Sequence, residues 1–266
     1  MQPSGFPPTL NMLLTLPQET VNEVIAHLHP EKRTLLSLSV VAKCLTEECR
    51  RHLFASIHIG SKAKLAGWCD EVPPELSRYV RLLDLDSYPD GSSCVPLILR
   101  DLAVHLRSFT QVEQLNIRPL KLYKFEDEDL VDHFGHFSAT VRSVSIRPIG
   151  NYSAILKFLA LFPHLETTQI TSPSITGEQG VLDLPNLVCR GDLILKVCRI
   201  DTGANILSCL ARPTTCYRRM RLVLVKVDDT GPLERFFETC GGSLESIELI
   251  CCFFSVCWGL TGETPC

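Results

Sequence analysis

Few residues in this chain have the types and spacing that chemistry requires. His133 and His136 stand three apart in a segment that also carries Glu126, Asp127, Glu128, Asp129 and Asp132. On a helix, Asp129, His133 and His136 fall near one face, a geometry that can hold a metal ion. No fourth ligand accompanies them, and charge runs are usually solvated, so a solvated acidic helix with surface or half-buried histidines is expected. Cys251, Cys252 and Cys257 are soft donors, but they lie among Phe253, Phe254, Val256 and Trp258, which reads as core or interface. Arg218, Arg219 and Arg221 cluster beside a strand pattern, where they suit an acidic or phosphorylated partner or a solvated strand end. There is no phosphate-cradling GxxxxGK loop, no GxGxxG after a strand and no GxSxG elbow. No nucleophile stands with a base. No catalytic residue, metal or cofactor is therefore expected.

The composition narrows the class. The chain has 266 residues, 45% of them hydrophobic and 21% charged, with a formal net charge of −4. A chain of this length and balance can bury a sizeable core as one large domain, or as a small one plus a larger one. Its mild acidity argues against a general nucleic-acid binder. The longest apolar run, Leu249 to Leu260, falls short of the ~20 residues a membrane span needs. The first residues have no basic stretch and no clear cleavage site, so no signal peptide is expected. Thirteen scattered cysteines without a CxxC pair read as buried free thiols of a reducing compartment, cytoplasmic or nuclear.

The elements that must position any site begin near residue 16. Val21, Val24, Ile25 and Leu28 make one apolar stripe on a short helix that Pro17 opens and His29-Pro30 closes. A second segment sets Leu35, Leu38, Val41 and Leu45 on one face, and a third runs from Thr46 to His52. Three such helices make a thin core that needs a partner or a neighbouring domain. An N-terminal helical cap on a larger domain is the plainer alternative.

The order Leu16-Pro17-x-Glu19, Ile25, Leu28, Pro30, Leu35-x-x-Leu38-x-x-Val41-x-Lys43 and Leu53-Phe54 resembles the F-box over about forty residues. It departs where that family often has tryptophan, here Leu45. The resemblance implies docking to the Skp-type adaptor of a cullin-RING ubiquitin ligase. Leu16, Pro17, Ile25, Leu28, Leu35, Leu38 and Val41 would shape the adaptor-binding helices.

After residue 53 a pattern recurs in which three apolar residues are separated by two others and then by one. It appears in Phe54–Ile59, Val80–Leu85, Val112–Ile117, Val141–Ile146, Leu165–Ile170, Met220–Val225 and Leu244–Leu249. The fourth position is weak in the fifth of these, at Thr168. A degenerate copy is expected near Leu187 to Asp192, because Pro185-Asn186-Leu187 echoes Pro163-His164-Leu165. Each copy ends in strand-like alternation. Helical patterns lie between copies at Pro96–Phe109, Asp127–Phe137, Tyr152–Phe162 and Pro232–Cys240. Strand, helix and strand again implies parallel crossovers, stacked as a solenoid with strands inside and helices outside.

The spacing resembles leucine-rich repeats, although the family's asparagine or cysteine three residues after the last leucine is mostly missing. Leu120 stands there after Ile117. A compact α/β domain around one parallel sheet is the alternative.

The expected architecture is α/β. An N-terminal tail (1–15) precedes a three-helix F-box (16–53), an irregular leucine-rich-repeat-like solenoid (54–250) and an apolar tail (251–266) that folds over the open end. Glu113, Asn116, Arg142, Ser143, Ser145, Thr167, Gln169 and Glu245 fill the variable slots of the strand motifs. Asn116, Arg142, Ser143, Ser145 and Gln169 are the expected contacts for a protein substrate. The expected function is the substrate-recognition subunit of an SCF-type ubiquitin ligase. Its partners would be the Skp-type adaptor, a cullin through it, and an unknown protein substrate, with no nucleic acid and no membrane. A repeat scaffold without a ligase role is the alternative, and a small hydrolase-like enzyme the third.

Overall fold

The computed structural model describes residues 16–61, 64, 67–68, 71–86, 106–122, 125–171, 174–175, 190–197, 206–207, 210–211, 215–224 and 231–251. The expected helix Pro96–Phe109 lies outside the described residues up to His105. So do the two tails, residues 1–15 and 252–266. The chain is α/β, and every strand pairing whose register is described is parallel. It divides into two compact units, Met1–Asn116 and Ile117–Cys266. The division falls far from the expected boundary after Leu53, because the helices share a unit with the first strands.

In the first unit, α1 (Gln18–His27), α2 (Lys32–Val41) and α3 (Lys43–Leu53) pack around Val21, Ile25, Leu35, Ala42, Leu45 and Cys49. Leu45 is buried. It belongs to α3. The second helix was expected to run through it, but Ala42 is extended (φ −129°, ψ 105°) and breaks the chain into two helices. Two consecutive β-branched residues, Val40 and Val41, weaken the end of α2. Thr46 Oγ1 donates to the Ser39 carbonyl at 2.8 Å, satisfying one of the acceptors that the ending helix leaves open.

The same unit continues into β1 (Ser56–Ile59) and β2 (Leu82–Asp86), which pair Ile57 with Leu83 and Ile59 with Leu85, all buried. A 3-10 turn, Pro74–Tyr79, precedes β2.

β3 (Gln114–Lys121) carries the division between the units. Then follow α4 (Asp127–Phe134), β4 (Ser143–Gly150), α5 (Tyr152–Ala160), β5 (Thr167–Thr171), β6 (Ser174–Ile175), β7 (Arg190–Val197), β8 (Cys216–Leu224), α6 (Gly231–Cys240) and β9 (Ser246–Cys251). In the second unit the order is β3-β4-β5-β7-β8-β9, the order of the chain, with β6 set beside β4. Helix starts are locally encoded. Asn151 Oδ1 accepts from the Ala154 N–H at 2.7 Å, and Glu126 and Asp129 form a reciprocal capping box on α4.

Register fixes which residues face the core. One row runs Val144, Thr168, Leu193, Met220 and Ile247; the next runs Ile146, Ile170, Leu195, Leu222 and Leu249. Their helix side is filled by aromatics, with Phe134 on Phe158 at 5.3 Å and Tyr217 stacked on Phe236 at 5.8 Å. Leu120 is fully buried.

Two expectations about register are corrected. The degenerate copy ends at Leu195 rather than Asp192, and the next ends at Leu222 rather than Val225. The end at Val225 rests on apolar spacing, which a shift of three residues to Leu222 satisfies equally; the end at Asp192 rests on the echo of Pro163-His164-Leu165 in Pro185-Asn186-Leu187, which starts the copy three residues early. The corrected ends, 146, 170, 195, 222 and 249, are evenly spaced. On β9, Ile247 and Leu249 are 47% and 53% exposed although their row partners Met220 and Leu222 are buried.

Thr168 sits in that apolar row, fully buried, and its hydroxyl has no hydrogen-bond partner. Burying such a group costs free energy that its pairing would have offset. Thr168→Val keeps the branched shape and removes the hydroxyl. It is expected to raise the urea midpoint, by about 1 kcal/mol of stability. A lower midpoint would show that the hydroxyl is satisfied.

Candidate functional site

The helices of the first unit position one candidate surface. Ile25 and Leu35 are fully buried, so they hold α1 and α2 together rather than touch a partner. Leu28 and Leu38 are half-buried against the same core. Leu16 and Pro17 are exposed at the start of α1. The side chain of Val41 lies outside the described residues. Sequence reasoning missed Leu36 and Val40, which are 58% and 77% exposed. They stand four apart and therefore share a face of α2. The signal was present, since TLLSLSVV is apolar on two faces and only one can meet the helices' own core.

Tyr79, on the 3-10 turn, ties that turn to α3. Its hydroxyl donates to Glu47 Oε2 at 2.5 Å and accepts from Arg78 Nη2 at 2.6 Å. The Tyr79 hydrogen bond, with lesser help from the charges of Arg78, Arg51 and Arg50, holds the Glu47 carboxyl below its ordinary value. The separate hydrogen bond that Arg78 donates to the Tyr79 hydroxyl raises Arg78. A carboxyl with a depressed folded pKa stabilises the fold above its unfolded value, and that contribution is lost as pH falls through the folded one. Glu47 and Arg78 are exposed, so solvent and salt screen their share of the effect. In Tyr79→Phe, an NMR titration of Glu47 is expected to move upward toward an ordinary carboxyl. An unmoved titration would assign the shift to the arginines instead.

The second candidate is the open face of the sheet in the second unit. Ser143, Ser145 and Gln169 all lie on it, because Ser143 pairs with Thr167 and Ser145 with Gln169 while the intervening residues point inward. Arg142 is exposed just before β4. Asn116 belongs to the first unit, where its side chain accepts from Gln114 Nε2 at 3.4 Å. Ser143, Ser145 and Gln169 are thus brought together, and Asn116 is described apart from them. Further along the face, Arg219 grips Asp192 with two contacts, Nε to Oδ1 at 2.9 Å and Nη2 to Oδ2 at 2.7 Å. That bond raises Arg219. Arg221 pairs with Glu248 at 3.1 Å. Of the three clustered arginines, Arg218 has no counter-ion among the described residues.

The residues one position before the strand pairings begin make a second pattern, just ahead of most strands and inside β7 and β8. The carbonyl of Arg81 accepts from the Glu113 and Gln114 amides at 2.8 and 2.9 Å, and that of Arg142 from Glu166 and Thr167 at 2.7 and 3.0 Å. The carbonyl of Glu166 accepts from Asp192, and that of Arg218 from Glu245, both at 2.7 Å. The side chains at this position alternate in sign. Arg81 meets Glu113 at 2.9 Å in the first unit, and Arg142, Glu166, Arg218 and Glu245 follow in the second. Between Glu166 and Arg218 the position falls on Gly191, which has no side chain.

A β-bulge lies there, and Gly191 takes φ +79°. A cleft of about 760 Å³ opens around it, lined by Glu166, Arg190, Arg218 and Glu245 and by the Asp192–Arg219 pair. The sequence signal was the glycine inside a strand, which marks a bulge or a close backbone approach.

His133 of α4 and His136, in the 3-10 turn Gly135–Phe137 that follows it, do not converge. His133 Nδ1 donates to the Asp129 carbonyl, and the ring is buried between Phe125 and Phe134. The Asp129 carboxylate is turned to the Glu126 amide, and His136 stacks on Phe137 at 3.8 Å. His133 is therefore core, which corrects the expectation of a surface or half-buried ring. Among the described residues, no group of three His, Cys, Asp or Glu is placed to hold a metal ion. Burial pushes the Cys49 thiol up, and Cys240 is buried as well, while Cys44 and Cys216 are exposed; all four are free. Among the described residues, no helix is long and apolar enough to cross a membrane.

The fold and these surfaces define an α/β chain of parallel strands whose sheet has one open, polar face, with a small helical module at its start. No family model matches the chain, and no curated protein matches it.

Proposed function

We propose that this chain is a non-catalytic substrate receptor of an SCF-type ubiquitin ligase. Residues 16–53 act as an F-box that docks the Skp-type adaptor, and a cullin through it. Residues 54–250 act as an irregular leucine-rich-repeat-like solenoid whose open sheet face holds a protein substrate. The observation that carries this reading is the apolar pair Leu36 and Val40, left exposed on a helix whose other face already fills the module's core. Such a face suits a protein interface. The chain-order succession of strands supports a solenoid. A doubly wound domain reverses its strand order and places its ligand crevice at that point. Held near the charged ubiquitin carrier, the substrate would react by proximity, with no chemistry asked of this chain. The free thiols suit a cytoplasmic or nuclear setting.

Co-expression with a Skp-type adaptor, followed by affinity capture and size exclusion, tests the reading. Stoichiometric co-elution is expected. A folded chain that elutes alone would overturn it and favour a repeat scaffold without a ligase role.

A further inference from the structure

We propose that the cleft at Gly191 is a recognition subsite for an unphosphorylated, mixed-charge polypeptide segment. A carboxylate of that segment would lie on Arg190 and Arg218, and a neighbouring cation on Glu166 and Glu245. This rests on the open face being the substrate surface, and it is independent of adaptor docking. Three observations lead to it.

The first is the missing rung. Side chains one position before the strand pairings begin alternate in sign, and opposite charges on neighbouring strands satisfy one another across a sheet. Gly191 interrupts this series, so Glu166 and Arg218 stand about two strand spacings apart, ~10 Å, with no side chain between them. The glycine cannot be exchanged for a residue that would fill the gap. A Cβ there would lie 2.2 Å from the Glu166 carbonyl oxygen. The chain's own geometry keeps the cleft open.

The second is the division of charges around it. Asp192 and Arg219 already satisfy each other in a two-point contact. Arg190 and Arg218 are exposed and have no counter-ion among the described residues. A guanidinium presents a planar fork of donors that matches a carboxylate. The bulge adds to this. Gly191 pairs with Tyr217 and Asp192 with Arg219, so Arg218 is the extra residue, set apart from the regular ladder.

The third is what surrounds the two free arginines. Glu166 and Glu245 line the same cleft, so its three cations face three anions. A phosphate dianion would meet two carboxylates and leave the balance negative. A single carboxylate followed by a lysine or arginine would leave every charge matched. Like charges set against one another in an interface are what reject a wrong partner. The cleft therefore selects a segment that alternates acid and base, and it selects against a phosphorylated one.

The test uses the full chain and fluorescent peptides read by anisotropy. The probes are a short peptide alternating glutamate and lysine, the same peptide with phosphoserine in place of each glutamate, and a glycine–serine control. The alternating peptide is expected to bind best, and more weakly as salt rises. R190A with R218A is expected to weaken it about tenfold, the scale of losing a charge-assisted contact. E166Q with E245Q is expected to turn the preference toward the phosphoserine peptide. All four side chains border solvent, and circular dichroism confirms that each variant is folded. Tighter binding of the phosphoserine peptide by the unmodified chain would overturn the proposal. So would an alternating peptide that fails to bind, or one whose affinity ignores R190A with R218A. None of these results depends on adaptor capture, so the two readings fail separately.

Discussion

Gly191→Ala is expected to destabilise the second unit by about 3 kcal/mol or more, in the range reserved for mutations with a named steric cause. Two costs combine. Gly191 has φ +79°, which an L side chain rarely adopts. Its Cβ would also stand 2.2 Å from the Glu166 carbonyl oxygen and 3.0 Å from that carbonyl carbon. The neighbour is backbone, and it is held by the Asp192 amide at 2.7 Å, so it cannot swing aside as a flexible side chain would. Relief requires β7 to move off β5, where Thr168 pairs with Leu193 and Ile170 with Leu195 in the core rows. Urea unfolding followed by tryptophan-independent circular dichroism measures the effect. Gly191→Asn separates the two costs. Asparagine tolerates positive φ better than alanine but carries the same Cβ. Close approach as the dominant cost predicts that the two variants lose nearly the same stability. If both lose less than about 1 kcal/mol, the bulge can relax and the cleft is not fixed by the backbone.

The strands show how far sequence pattern reaches. Alternation placed β4, β5 and β9 in the observed register, because Val144 and Ile146, or Ile247 and Leu249, alternate with polar neighbours, although Ile247 and Leu249 stay exposed at the end of their rows. β7 and β8 are different. In β8 a three-residue slip from Met220 and Leu222 finds Val223 and Val225, which are apolar as well, while in β7 a single buried pair, Leu193 and Leu195, follows the charged Arg190 and Asp192 and makes too short a pattern to fix the register. Only pairing with β5 resolves the choice. The same limit explains the arginines. Their sequence shows a basic cluster, while their counter-ions Asp192 and Glu248 lie on neighbouring strands, 27 residues away in both cases. His133 fails for a third reason. A histidine among acids reads as surface, yet the helix turns that position toward Phe125 and Phe134. In the helical module the pattern identified the core, Val21, Ile25 and Leu35, and took part of that core for the interface. Periodicity finds a buried face. It does not say whether the cover comes from the same chain or from another.

That ambiguity has a direct test, and it carries the largest expected effect on function. Leu36→Asp with Val40→Asp is expected to reduce adaptor capture at least ~100-fold while leaving the module folded. Both side chains are mostly exposed, so little internal packing is lost, and aspartate costs only a few tenths of a kcal/mol in helix propensity at each position. Against a partner the account differs. Burying a leucine and a valine side chain contributes about 1.5–3 kcal/mol each, and a carboxylate in their place must lose its water without a counter-ion. Leu35→Ala provides the contrast. Leu35 is fully buried in the three-helix core, and its truncation is expected to cost about 2–5 kcal/mol, enough to loosen a module with so few core residues. Both variants would then fail to capture adaptor, but only Leu35→Ala would lose helical signal and gain amide exchange in α1 and α2. A Leu36→Asp, Val40→Asp chain that still co-elutes at the unmodified stoichiometry would sink this face as the docking surface. A chain that loses capture together with its fold would show that Leu36 and Val40 support the module itself. The surface variant separates interface from core because these two residues share a helix with Leu35 and not its face.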